Sequence, residues 1–103
     1  NINNAQIICP PIRKNATTVC HQFVIRLKKR DELIDYLHEK NIGTIIHYPI
    51  PPHLSEAYQY LNISEGQLPI TEQYAKEVLS IPMYSGITKE EQDYVIEAIN
   101  NFK

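Results

Sequence analysis

Ile42-Gly43-Thr44-Ile45-Ile46-His47-Tyr48-Pro49-Ile50-Pro51-Pro52-His53 joins an apolar run to a His-Tyr pair, a loop of three prolines and a second histidine. The β-branched run reads as a strand from Ile42 to Tyr48. Proline fixes φ and lacks the backbone donor, so the segment beyond Tyr48 is stiff and cannot continue a ladder. Two imidazoles and a phenol just past a strand end make a candidate ligand-facing edge.

Working outward, His21-Gln22-Phe23-Val24-Ile25-Arg26-Leu27 alternates loosely and is a second strand candidate. Between the two, Asp31 is placed to cap a helix running to about Lys40. Leu33, Ile34 and Leu37 fall on one face of it at the helical period. Asn41 stands where a left-handed C-terminal cap is expected, because Asn tolerates positive φ. Beyond the prolines, Leu54 to Leu61 reads as a short helix with Ala57, Tyr58 and Leu61 at helical spacing. Tyr58 and Tyr60 cannot face the same way. A further helix follows Pro69 to about Leu79, with Tyr74, Val78 and Ile70 assigned inward. Ser80-Ile81-Pro82-Met83-Tyr84 is a short extended piece, confined to a sheet edge or exit by its proline. Thr88-Lys89-Glu90-Glu91 has the form of a capping box. It opens a last helix with Tyr94, Val95, Ala98, Ile99 and Phe102 as its apolar stripe.

The order predicts an α/β (α+β) domain. Its sheet should be small, three-stranded and mainly antiparallel, from residues near 20–27, 43–48 and 80–83. Helices near 31–40, 71–79 and 88–101 should pack on one face. The core should contain Phe23, Ile25, Leu33, Leu37, Ile45, Val78, Leu79, Val95 and Ile99. Residues 1–18 are polar and broken by Pro10-Pro11, and read as an irregular lead-in to a domain at 19–103.

The bulk numbers narrow the function classes. The chain has 103 residues and a formal net charge of −2, with acids and bases interspersed. That charge gives no footprint for nucleic acid or a membrane surface. Its densest basic run, Arg26-Leu27-Lys28-Lys29-Arg30, reads as a solvated strand exit. No apolar run approaches the roughly 20 residues of a membrane span. Two cysteines, Cys9 and Cys20, make no disulfide framework, and the default expectation is a reduced, cytoplasmic protein. The chain starts at Asn1 rather than Met, which reads as a piece of a longer protein.

The histidines and cysteines match no zinc spacing, so no metal site is expected. His38 lies on a polar helix face. His21 opens a strand beside the second strand's end, which leaves a satisfied edge residue and a functional residue as its two readings. For His47 and Tyr48 two readings stand level. One is a ligand contact; the other has Tyr48 packed under the prolines and His47 capping the strand. His53 precedes a helix and could cap it. There is no glycine-rich phosphate loop and no Ser-His-Asp or Cys-His order, so a self-contained enzyme is not expected.

Five blocks then occur in order with family spacing: His21–Arg26, Arg30–Leu33, Ile42–His53, Glu77–Tyr84 and Thr88–Ile96. They resemble the C-terminal small domain of the PLP-dependent nucleotide-sugar aminotransferases, the DegT/StrS family, over residues 19–102. The family often has Gly where Asn41 stands, and Asn keeps that backbone freedom. The resemblance implies the small domain of a type I aminotransferase, with the large domain of the same chain holding pyridoxal phosphate on a lysine. The parent would transfer an amino group from glutamate to a nucleoside-diphosphate keto-sugar and work as a homodimer, in deoxyamino-sugar synthesis of the lipopolysaccharide, O-antigen or capsule type. The proline loop resembles members acting at carbon 3 of a dTDP-linked 6-deoxy-keto-hexose. No lysine here sits in the family's lysine context, so this chain alone should hold no cofactor and no catalytic residue. The resemblance places His47 and Tyr48, and with them His53, at the sugar-nucleotide site. Two rivals remain: a stand-alone interaction or regulatory module, and a family member acting as a sugar dehydratase.

Overall fold

Phe23–Arg26 forms β1 and Val78–Ile81 forms β2, paired antiparallel with Phe23 opposite Ile81 and Ile25 opposite Leu79. A computed structural model describes residues 1–103. Side chains alternate across a strand, so Phe23, Ile25 and Leu27 share one face with Leu79 and Ile81. Ile25 and Leu79 are fully buried.

Two helices cover that face. α1 spans Arg30–Glu39 and buries Leu33 and Leu37; α3 spans Lys89–Asn101 and buries Val95, Ala98 and Ile99. Together with Ile42 and Phe102 these residues form one core cluster. Six of the nine expected core residues are buried, while Phe23 and Val78 are half-buried. Ile45 is corrected: it is 60% exposed.

The helix ends follow local chemistry. Thr88 accepts from the Glu91 amide at 3.2 Å and Glu91 accepts from the Thr88 amide at 2.8 Å, which completes the capping box. Asn41 has φ 58°, and the amides of Asn41 and Ile42 reach back to the carbonyls of His38 and Leu37. This is a Schellman closure, with Ile42 packed into the core beside Leu37. Asp31 does not cap α1. The helix begins one residue earlier, and Asp31 accepts from Arg30 at 2.8 Å.

Two expectations about the sheet change. The run 43–48 makes one antiparallel bridge, Ile45 to Ser80, and not a full strand. Toward its start, the next hydrogen-bonded pair would set Gly43 opposite Pro82, which has no amide to donate. On the other flank Ile8 bridges Arg26 with bonds of 2.8 and 2.9 Å. The named sheet therefore has two strands, edged by single bridges.

α2, Pro69–Glu77, ends where β2 begins, so Val78 and Leu79 belong to the strand. It buries Glu72, Ala75 and Glu77, and leaves Ile70 and Tyr74 69% and 43% exposed. None of its side chains joins the core cluster. Instead Arg26, which points away from Ile25 by alternation, pairs with Glu77 at 3.2 Å and stacks on Tyr74 at 3.8 Å. α2 thus docks through polar contacts on the Arg26 side. The expected helix at 54–61 is two 3₁₀ pieces, Pro52–Leu54 and Glu56–Leu61. The second buries nothing, and both Tyr58 and Tyr60 are exposed.

Candidate substrate-facing site

The Ile45–Ser80 bridge positions the site. Ile46 packs toward the core cluster, so Ile45 and His47 lie on the opposite face, the one Ser80 also occupies. There the His47 Nδ1 and Ser80 Oγ are 2.9 Å apart. The Tyr48 ring meets His47 edge-on at 5.4 Å and is 74% exposed. Tyr48 is therefore not packed under the prolines.

A cavity of about 510 Å³ opens beside this pair, lined by His21, Gln22, Thr44, His47, Ser80 and Met83 among others. Its size falls within the range of small-molecule sites. Imidazole, amide and hydroxyl groups over an apolar floor suit a neutral or anionic polyhydroxyl ligand. His21, a strand-opening residue, lines it together with His47. Sequence reasoning missed Ser80, Gln22 and Thr44. The only signal for Ser80 was a polar residue inside an otherwise apolar strand.

His53 is not in this cavity. It is 6% exposed, and its Nε2 lies 3.1 Å from Glu72 Oε1. Glu72 also accepts from the amides of Gly66 at 2.9 Å and Leu68 at 3.2 Å. The Gly66 amide bond is the main force holding the Glu72 carboxyl below the usual carboxylate range; burial opposes it, and His53 and the Leu68 amide add to it. His53 and Glu72 together tie the proline loop to α2. The Nδ1 of His53 is buried without a partner. No three His, Cys, Asp or Glu side chains converge as a metal site would require. No helix is long and apolar enough to cross a membrane.

The model of the DegT/DnrJ/EryC1/StrS aminotransferase family matches residues 1–100. The chain belongs to this family. It is 48% identical over 84 residues to a pleiotropic regulatory protein of Geobacillus stearothermophilus, covering 82% of this chain and 23% of that one. It is 40% identical over 102 residues to the dTDP-3-amino-3,6-dideoxy-alpha-D-galactopyranose transaminase of Aneurinibacillus thermoaerophilus, covering 99% of this chain and 28% of that one. The crystal structure of S. venezuelae DesV with a ketimine intermediate superposes with a TM-score of 0.87 at 37% identity, over 92% of this chain and 26% of that one. The chain spans about a quarter of the length of these relatives.

Two structurally similar proteins have been solved, one in its pyridoxal phosphate form and one with bound pyridoxamine phosphate. The residues of this cavity do not fit that group. Its lining contains no lysine to bind an aldehyde and no carboxylate to face a pyridine nitrogen.

Proposed function

We propose that this chain is the C-terminal small domain of an aminotransferase that moves an amino group from glutamate to a nucleoside-diphosphate keto-sugar. Residues 1–18 lead in from a large domain, and residues 19–103 form the small one. The observation that carries the reading is the match, across nearly the whole chain, to a dTDP-3-amino-sugar transaminase. That match also favours carbon 3 of a dTDP-linked 6-deoxy-keto-hexose. The route would be cytoplasmic and lead to deoxyamino sugars of the lipopolysaccharide, O-antigen or capsule type. Pyridoxal phosphate, when bound in the parent, supplies the electron sink for amino transfer. It would be held by residues of the large domain, and the parent would work as a homodimer.

Within that frame His47 and Tyr48 position the sugar nucleotide. The imidazole can hydrogen-bond a sugar hydroxyl or a diphosphate oxygen, and the exposed phenol can stack or donate. A wall built on a proline-stiffened loop loses little entropy when ligand binds. His53 serves the same site from behind, by fixing the loop that carries Tyr48 to α2.

The experiment is a turnover assay of the full-length protein with glutamate and dTDP-3-keto-6-deoxyhexose. An amino-sugar nucleotide and 2-oxoglutarate in equal amounts are expected. The resemblance to the regulatory protein favours a second reading, an interaction module. However, this chain covers only 23% of that protein, so it too is several times longer. A folded full-length protein that aminates no nucleotide keto-sugar would support the module instead. Loss of a sugar hydroxyl without amination would point to the dehydratase, in which a histidine replaces the upstream lysine.

A further inference from the structure

We propose that Ser80 is a positioning residue: its hydroxyl fixes the His47 imidazole so that Nε2 is the ring nitrogen offered to the sugar nucleotide. The proposal rests on His47 being substrate-facing.

The geometry has three parts. First, His47 Nδ1 sits 2.9 Å from Ser80 Oγ, within hydrogen-bond range. One ring nitrogen is thereby occupied, and Nε2 is the one left for a ligand. Second, Ser80 is held on both flanks by the sheet. Its amide donates to Ile45 at 2.8 Å, its carbonyl accepts from Ile45 at 3.1 Å, and it pairs with Val24 on the other flank. It is 7% exposed. Third, the Tyr48 ring stands at 82° to the imidazole, so the ring has a neighbour besides the hydroxyl.

The chemistry selects a tautomer. A serine hydroxyl can donate or accept. The oxygens of a diphosphate accept only. A ligand of that kind draws the proton to Nε2, and the Ser80 hydroxyl then donates to Nδ1. An alanine at position 80 leaves Nδ1 without this partner, and the ring is free to turn or to carry its proton on the wrong nitrogen.

The test uses the full-length enzyme with four variants: Ser80→Ala, Ser80→Thr, His47→Ala and the Ser80→Ala/His47→Ala double variant. Ser80→Ala should raise KM for the sugar nucleotide about three- to tenfold, the effect of one lost hydrogen bond. The rate of the glutamate half-reaction should stay within about twofold, since that step makes no use of the sugar contact. Ser80→Thr keeps a hydroxyl and should restore much of the loss. In the double variant Ser80→Ala should add nothing to His47→Ala. Two results overturn the proposal while leaving His47 in place: a Ser80→Ala effect of the same size with and without His47, or a KM that only His47→Ala raises. A fall in the glutamate step together with melting temperature would assign Ser80 a structural role and also overturn it. If His47→Ala leaves KM unchanged, the reading of His47 fails first, and Ser80 has nothing to position.

Discussion

His47 and Tyr48 could be singled out in the sequence because they end an apolar run just before a proline loop. Ser80, the partner of His47, lies 33 positions away and could not. The same holds for His53, whose partner Glu72 is 19 positions along the chain. A polar residue buried for a tertiary partner leaves no periodic trace, since periodicity reports only the apolar face. Glu72 carries a pH prediction. Its carboxyl is held low in the folded chain, first by the Gly66 amide. A depressed folded value means a stabilisation complete above the unfolded value of about 4.3 and lost as pH falls through the folded value. Glu72→Gln removes this contribution. Melting temperatures of the two proteins should therefore converge as pH drops below about 4. A difference that persists unchanged into acid would show that shape, and not charge, holds the 66–72 loop.

At the scale of elements, local rules succeeded where the chain's own chemistry closes a structure. The capping box at Thr88 and the positive φ at Asn41 were both readable, because each needs only neighbouring residues. Thr88→Ala should cost about 1 kcal/mol, measured by denaturant unfolding. A change under about 0.3 kcal/mol would mean that Glu91 alone suffices. The strand at 43–48 was overread. Its composition suits a strand, but a ladder needs donors beyond its first bridge, and Pro82, opposite Gly43 in this register, has none. α2 was misread for a different reason. Tyr74 and Ile70 fit a helical stripe, yet the helix docks through Arg26, Glu77 and a Tyr74 ring that stacks on a cation. Apolar period cannot reveal a face held by charge.

For the whole molecule, the helices on the Ile25 face could be read because α1 and α3 both carry clean stripes onto one sheet face. Leu37 and Ile99 are fully buried at that contact, and either one changed to Ala should cost about 2–5 kcal/mol in equilibrium unfolding. A cost under about 1 kcal/mol would mean that the site collapses around the gap. The extreme N-terminus joins the same body through Asn4, whose amide donates to the carbonyls of Ile99 and Phe102 at 2.9 and 2.8 Å. Its irregular sequence hid this, because such contacts need no repeating pattern. The opposite side carries His47, Tyr48 and the cavity, and under the proposed function the domain would meet the sugar nucleotide there. Separate rates for the two half-reactions in the full-length enzyme test that division most directly. With His47→Ala or Tyr48→Phe, the KM for the sugar nucleotide should rise by the equivalent of about 1–3 kcal/mol while the glutamate half-reaction stays close to normal. A collapse of the glutamate half-reaction in either folded variant, with sugar affinity intact, would contradict it.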